Sequence, residues 1–144
     1  MKLYMNDGGI LTYLLYRNNI NAILQERTGV NLGAVYETVV AQELKAHGYS
    51  TYYYDRRKVG EVDFLVDDYE NLCVLPIEVK SGKEGYEYRA MPKLLQTEGY
   101  RMKKGIVLSN NREVTIKDNI IHMPIYYVMF IWKFALALAR AFYF

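Results

Sequence analysis

The sequence predicts a mixed α/β domain, one β-sheet flanked by helices, on three observations. Leu32, Val35, Tyr36, Val39, Val40 and Leu44 recur at helical spacing between Asn31 and Gly48, a capping pair that bounds a long amphipathic helix. Residues 50–80 then break into three runs of strand formers. They are split by the basic turn Asp55-Arg56-Arg57-Lys58-Val59-Gly60 and the acidic turn Asp67-Asp68-Tyr69-Glu70-Asn71, the pattern of successive hairpins. Beyond them a strand, a helical stretch and a short apolar run follow one another, the sequence form of a right-handed parallel crossover.

The elements follow in order. The chain turns at Asn6-Asp7-Gly8-Gly9, and residues 10–16 make a short helix ended by Asn18 and Asn19. A second short helix spans 20–27 and closes at Gly29. After the long helix, strands are expected at 50–54, 61–66 and 72–80, with Tyr52, Tyr53 and Tyr54 alternating between core and solvent. A helix over 86–98 contains Pro92, which blurs its start. A buried strand covers 104–108, two short strands cover 113–116 and 120–123, and a terminal helix begins at Pro124, a residue suited to a first turn. No internal repeat or low-complexity segment is visible.

Composition narrows the function classes. A chain of 144 residues fits one domain and has no room for a second. A hydrophobic fraction of 51% excludes intrinsic disorder, and fifteen tyrosines favour aromatic-rich surfaces or interfaces. The formal charge of +2 is too small to mark a dedicated nucleic-acid binder, so any such role rests on local charge. Cys73 is the single cysteine, which excludes an internal disulfide framework and fits a reducing cytoplasm. Residues 1–9 lack the apolar core of a signal peptide. Residues 124–144 are almost wholly apolar and of roughly bilayer-spanning length. Lys133 and Arg140 interrupt them on one helical face, which suits a docked amphipathic helix rather than a membrane span.

Function speaks in one place. Gly60-Glu61-Val62-Asp63-Phe64-Leu65-Val66 and Pro76-Ile77-Glu78-Val79-Lys80 set three ionisable groups inside apolar strand runs. Such groups are costly to bury unless they pair, bind a metal or do chemistry. Hydrolysis of a phosphodiester needs hydroxide near neutral pH and positive charge beside the transition state, and a divalent cation supplies both. Mg2+ takes hard oxygens from one or two carboxylates plus water and phosphate, a requirement met by Asp63 and Glu78 on neighbouring strands, with the main-chain carbonyl of Val79 as a further oxygen. Lys80 shares a strand face with Glu78 because side chains repeat every second residue. From there it orients the attacking water or offsets phosphate charge. Glu37, on the long helix, completes the cluster by holding a metal-bound water.

This arrangement resembles the PD-(D/E)XK nuclease superfamily: Glu37, then Gly60-x-x-Asp63, then Ile77-Glu78-Val79-Lys80. The resemblance implies a restriction-endonuclease-like sheet, Mg2+ (or Mn2+) on the acids, a lysine assisting the hydrolytic water, and DNA as substrate. It extends to one branch, the uncharacterised domain found C-terminal to an AAA+ type ATPase in many bacterial and archaeal proteins. The segments that carry it are Lys2-Leu3-Tyr4-Met5-Asn6-Asp7-Gly8-Gly9, Gly33-Ala34-Val35-Tyr36-Glu37, Gly60-Glu61-Val62-Asp63-Phe64, Glu78-Val79-Lys80-Ser81-Gly82 and Lys104-Gly105-Ile106-Val107-Leu108-Ser109. On that resemblance residues 1–30 form a helical lead-in that would connect to an ATPase domain outside this chain, and residues 31–144 form the nuclease-like domain with its C-terminal helix. A Gly-x-x-x-x-Gly-Lys-Ser/Thr phosphate loop is missing, so the sequence holds no ATP site of that type.

Other residues compete for roles. Glu43 rivals Glu37 on the long helix and alternatively pairs with His47 one turn on. Glu61 shares a strand face with Asp63, where it assists a metal or bonds the basic turn. His47 and His122 lack metal-ligand spacing and read as structural. Gln96 and Tyr100 echo a helix motif of related nucleases, but Gly99 breaks that helix. Arg56, Arg57 and Lys58, together with Lys83, are placed to grip a phosphate backbone, with Lys93, Arg101, Lys103 and Lys104 extending the track. Two functions remain open: a metal-dependent DNA nuclease module, or a catalytically silent nuclease-like module that binds nucleic acid or docks on an ATPase or a second copy through its aromatic C-terminal segment.

Overall fold

The computed structural model describes residues 2–17, 19–25, 31–82 and 89–131. In chain order the elements are α1 (Gly8–Tyr16), α2 (Ile20–Leu24), α3 (Gly33–Ala46), β1 (Thr51–Arg56), β2 (Gly60–Asp68), β3 (Cys73–Val79), α4 (Ala90–Leu95), β4 (Gly105–Ser109), β5 (Thr115–Lys117), β6 (Ile120–Pro124) and a 3-10 helix, Ile125–Phe130. The strands form one six-stranded sheet in the order β1-β2-β3-β4-β6-β5. Hairpins join β1, β2 and β3 antiparallel, whereas β3–β4 and β4–β6 pair parallel. The fold is therefore the mixed α/β sheet that the sequence predicts, with α4 in the β3–β4 crossover.

Each face of the sheet carries its own core. On one side Val40 and Leu44 of α3 pack with Phe64, Val66, Leu75, Ile77, Ile106 and Leu108. On the other, Ala90, Met91 and Leu94 of α4 pack with Val62, Val107 and Ile120. Ile106, Val107 and Leu108 thus alternate between the two cores along one strand, which is why β4 reads as an unbroken apolar run. Each such side chain contributes roughly 1.5–3 kcal/mol when fully buried.

Several expectations shift at the ends of elements. Asn31 does not cap α3. Its Oδ1 accepts a hydrogen bond from Gly33 N at 3.0 Å, forming a local turn one residue ahead, and Leu32 takes the cap position without a side-chain bond. Gly48 does close the helix, at φ +81°, a conformation that costs glycine least. The first helix begins two residues earlier than expected because Asp7 caps it, accepting from Ile10 N at 2.9 Å. Pro92 lies inside α4, in the first turn, where its missing N–H leaves no helical bond unmade. Pro124 ends β6 and leads into a 3-10 helix rather than an α-helix. The expected terminal helix beyond it, with Lys133 and Arg140, lies outside the described residues, as does most of the chain between α2 and Asn31. No helix among the described residues is long and apolar enough to cross a membrane.

One irregularity positions the site. Pairing of β1 with β2 slips from Tyr52↔Leu65 to Tyr54↔Val62, so Asp63 and Phe64 together stand opposite Tyr53. This bulge explains why Val62 joins the α4 core while Phe64 joins the α3 core, although simple alternation would put them on one face. Of the three consecutive tyrosines only Tyr54 is buried, so the expected alternation between core and solvent does not hold across Tyr52.

Candidate active site

The site forms where β2 and β3 run side by side. Phe64↔Ile77 is the last paired rung on this side of the hairpin, so Asp63 and Glu78 come next, facing each other across the two strands. Asp63 is fixed by the backbone: its Oδ2 accepts from Val79 N at 2.8 Å. Lys80 is fixed by the next strand, donating its N–H to Leu108 O at 2.8 Å, just past the end of β3. Its ammonium then reaches back two residues and donates to Glu78 Oε1 at 2.6 Å. The period-two prediction for Glu78 and Lys80 therefore matches the geometry. The Val79 N–H is committed to Asp63, a bond no sequence pattern announces.

Glu78 is the strained member. It is 6% exposed, and its Oε2 is buried with no hydrogen-bond partner among the described residues. Burial pushes its carboxyl above the usual carboxylate value, the Asp63 charge adds to this, and the Lys80 ammonium opposes both without cancelling them. The sign follows directly. A raised folded-state value means that the folded protein binds the proton more tightly than the unfolded chain, so stability falls as pH rises from the unfolded value towards the raised one. In EDTA, urea midpoints measured from pH 4 upward should decline through that window, and Glu78→Gln should flatten the decline. A profile unchanged by the substitution would contradict this.

The other acids gather around a residue with no role predicted from sequence. Lys2, in the extended segment 2–7, donates to Asp63 Oδ1 at 2.7 Å and to Glu37 Oε2 at 3.3 Å, and its Nζ lies 2.5 Å from Glu61 Oε1. Burial acts to lower its pKa, yet the hydrogen bonds to Asp63 and Glu61, with the charges of Asp63 and Glu37, raise it above that of a free lysine. Glu37 also accepts from the Tyr4 hydroxyl at 3.3 Å. Tyr4 in turn lies with its ring 5.2 Å from that of Phe64, the bulge partner of Asp63. Glu37 thus comes from α3 to the same cluster as Asp63, as expected, but through Lys2. Its rival Glu43 does not line the site, and Nδ1 of His47 is buried with no partner among the described residues, Glu43 included.

These groups open into a cleft of about 560 Å3. Glu37, Glu61, Asp63 and Glu78 form its acidic part, and Lys2, Arg57, Lys58, Lys80, Arg89 and Lys93 its basic part. The predicted phosphate-gripping residues divide. Arg57 and Lys58 line the cleft; Arg56 does not, and its guanidinium lies over the rings of Tyr54 and Tyr100 at 5.9 and 6.0 Å. Lys83 lies outside the described residues. Lys93, an extension of the track, faces the cleft from α4 together with Arg89, which the sequence did not single out. Tyr100 belongs to the aromatic contact with Tyr54, edge-on at 6.2 Å, while Gln96 is exposed, so the two do not form the echoed helix motif.

Among the described residues, no three His, Cys, Asp or Glu side chains converge to hold a metal ion unaided. The donors that are present are hard oxygens on two strands, and the same cleft is lined by cations, two of which, Lys2 and Lys80, bond the acids directly. This combination suits a ligand that carries both positive and negative charge, such as a phosphate with its counter-ion.

In sequence, the model of the family described as a domain of unknown function, DUF4143, matches residues 32–128. No protein of curated function matches the chain.

Proposed function

The chain belongs to the DUF4143 family of domains of unknown function, and we propose that it is a metal-dependent DNA nuclease module with a restriction-endonuclease-like sheet, acting in the cytoplasm beside an AAA+ type ATPase. The observation that carries this reading is Asp63 opposite Glu78 with Lys80 bonded to Glu78, all lining a cleft with a cationic rim. The donor set fits Mg2+ or Mn2+. Glu78 Oε2 is a buried carboxylate oxygen with no partner among the described residues, and a hard cation is a ligand that satisfies such an atom. Asp63, Glu78 and the Val79 carbonyl would hold the ion, with Glu37 acting through water. When bound, the ion supplies a hydroxide at neutral pH and charge beside the phosphate.

The chain's own residues do the rest. Lys80, fixed at one end by the Leu108 carbonyl and at the other by Glu78, holds an ammonium donor where water approaches the phosphorus. Arg57, Lys58 and Lys93 neutralise backbone phosphates on either side of the scissile one. Purified protein should cut at least one of linear, supercoiled, single-stranded or branched DNA in Mg2+ or Mn2+, and none in EDTA. Failure on all four substrates with both ions would remove the nuclease reading.

A second reading, a nuclease-like docking module without cleavage, is favoured by apolar side chains left in solvent. Ile10, Tyr13, Leu14 and Leu15 of α1 are exposed, as are Tyr126, Met129 and Phe130 of the 3-10 helix. An ATPase domain or a second copy would be the partner, and the two readings are compatible in one protein.

A further inference from the structure

Lys2 presents a problem for the proposed site. Both oxygens of Asp63 are already engaged, Oδ2 by Val79 N and Oδ1 by the Lys2 ammonium at 2.7 Å. A divalent ion bound to Oδ1 would sit about 2.0–2.1 Å from it. Ion and ammonium would then be near neighbours of like sign around one oxygen, a repulsive arrangement.

The ammonium is held in place by a pinned strap. Within the segment 2–7 and the start of α1, Tyr4 packs on Phe64, Gly8 N donates to Gln42 Oε1 at 2.9 Å, and Gln42 Nε2 donates to Asn6 O at 2.5 Å. Leu3 and Met5 alternate with Lys2 and Tyr4 and are exposed. The strap therefore serves to place two side chains, Lys2 and Tyr4, on the acids.

We propose that Lys2 is a built-in counter-cation that occupies the acid cluster until a divalent ion displaces it, so that loading of the site is governed by the docking of the 2–7 strap. This rests on the metal-site reading above and adds its regulation. With Lys2 in place, one ammonium bridges Glu37, Glu61 and Asp63 and offsets part of their charge without metal. With Lys2 withdrawn, the same acids become available to an ion. Whatever shifts the strap, including a domain attached ahead of it, would set the site's affinity for metal.

The test is calorimetric titration of Mn2+ alone, without DNA, into the full chain and four variants whose folding is first verified by circular dichroism. Lys2→Met keeps the aliphatic stem and removes the charge, and should bind Mn2+ at least about tenfold more tightly than the wild type. Lys2→Arg keeps the charge and should bind as weakly as the wild type. Lys93→Met removes a rim cation and should change affinity less than about threefold. Gln42→Ala unpins the strap without touching the acids and should tighten binding by an intermediate amount.

Equal affinity in the wild type and Lys2→Met, with binding present in both, would overturn the counter-cation role and leave the metal site standing. An equal gain in Lys2→Met and Lys93→Met would overturn it as well, since net charge alone would then explain the gain. Tightening in Lys2→Met without any in Gln42→Ala would overturn the strap's control. No binding in any protein, Lys2→Met included, would overturn this proposal together with the metal-site reading.

Discussion

Lys80→Met is expected to lower metal-dependent DNA cleavage by about 10^2–10^4-fold, the contribution of a positioned proton donor or acceptor. Three observations set this expectation. The lysine is immobilised at its backbone by Leu108 and at its ammonium by Glu78, so it is held ready rather than recruited. It lines the cleft beside Asp63. Metal affinity, by contrast, should not fall, because the carboxylates remain and a competing cation is gone. Steady-state cleavage at saturating Mn2+, with calorimetry on the same protein, separates the two effects. Lys80→Arg should recover only part of the rate, since a planar guanidinium does not reproduce a compact ammonium on Glu78 Oε1. Cleavage by Lys80→Met within a few-fold of the wild type would show that the lysine only balances charge.

The second large effect is on stability. Phe64→Ala is expected to cost about 3–5 kcal/mol and to lower the melting temperature by roughly 10–20 °C. Phe64 is among the largest fully buried side chains, sits in the α3 core, and supports Tyr4 on its outer face. Its loss leaves a cavity beneath the bulge that aims Asp63, so residual activity per folded molecule should fall as well. Tyr69→Ala, at a residue 77% exposed, should stay within about 0.5 kcal/mol of the wild type and serves as the control. Thermal melts followed by circular dichroism decide the matter. A Phe64→Ala melt indistinguishable from that of Tyr69→Ala would show the core assignment to be wrong.

The sequence revealed the sheet and half of the site, for identifiable reasons. Asp63 and Glu78 lie in two strands joined by one short turn and Lys80 directly follows the second, so period two and hairpin adjacency suffice to bring them together. The parallel β3–β4 pair was equally accessible, because an apolar strand after a helix leaves few alternatives. Lys2 was not legible. Its partners lie 35 and 61 residues away in the chain, at Glu37 and Asp63, and nothing local to a lysine near a turn announces them. Nor was the bulge legible: the run from Glu61 to Val66 alternates without a glycine or proline to mark the extra residue, and the slip exists only relative to β1. Arg56 parts from its neighbours for a reason no local pattern carries, and the basic turn does not behave as a unit. Within it, Tyr54 and Tyr100 offer one arginine an aromatic surface while its two neighbours face the cleft.

The central claim is that Asp63 and Glu78 form a metal-dependent phosphodiester-hydrolysing site, and the most direct test is cleavage of supercoiled DNA in Mn2+ by the wild type and Asp63→Ala purified in parallel. The account predicts nicked and linear products from the wild type, their disappearance in EDTA, and no products from Asp63→Ala. Equal cleavage by both proteins, or none by the wild type at any Mn2+ concentration, would contradict it.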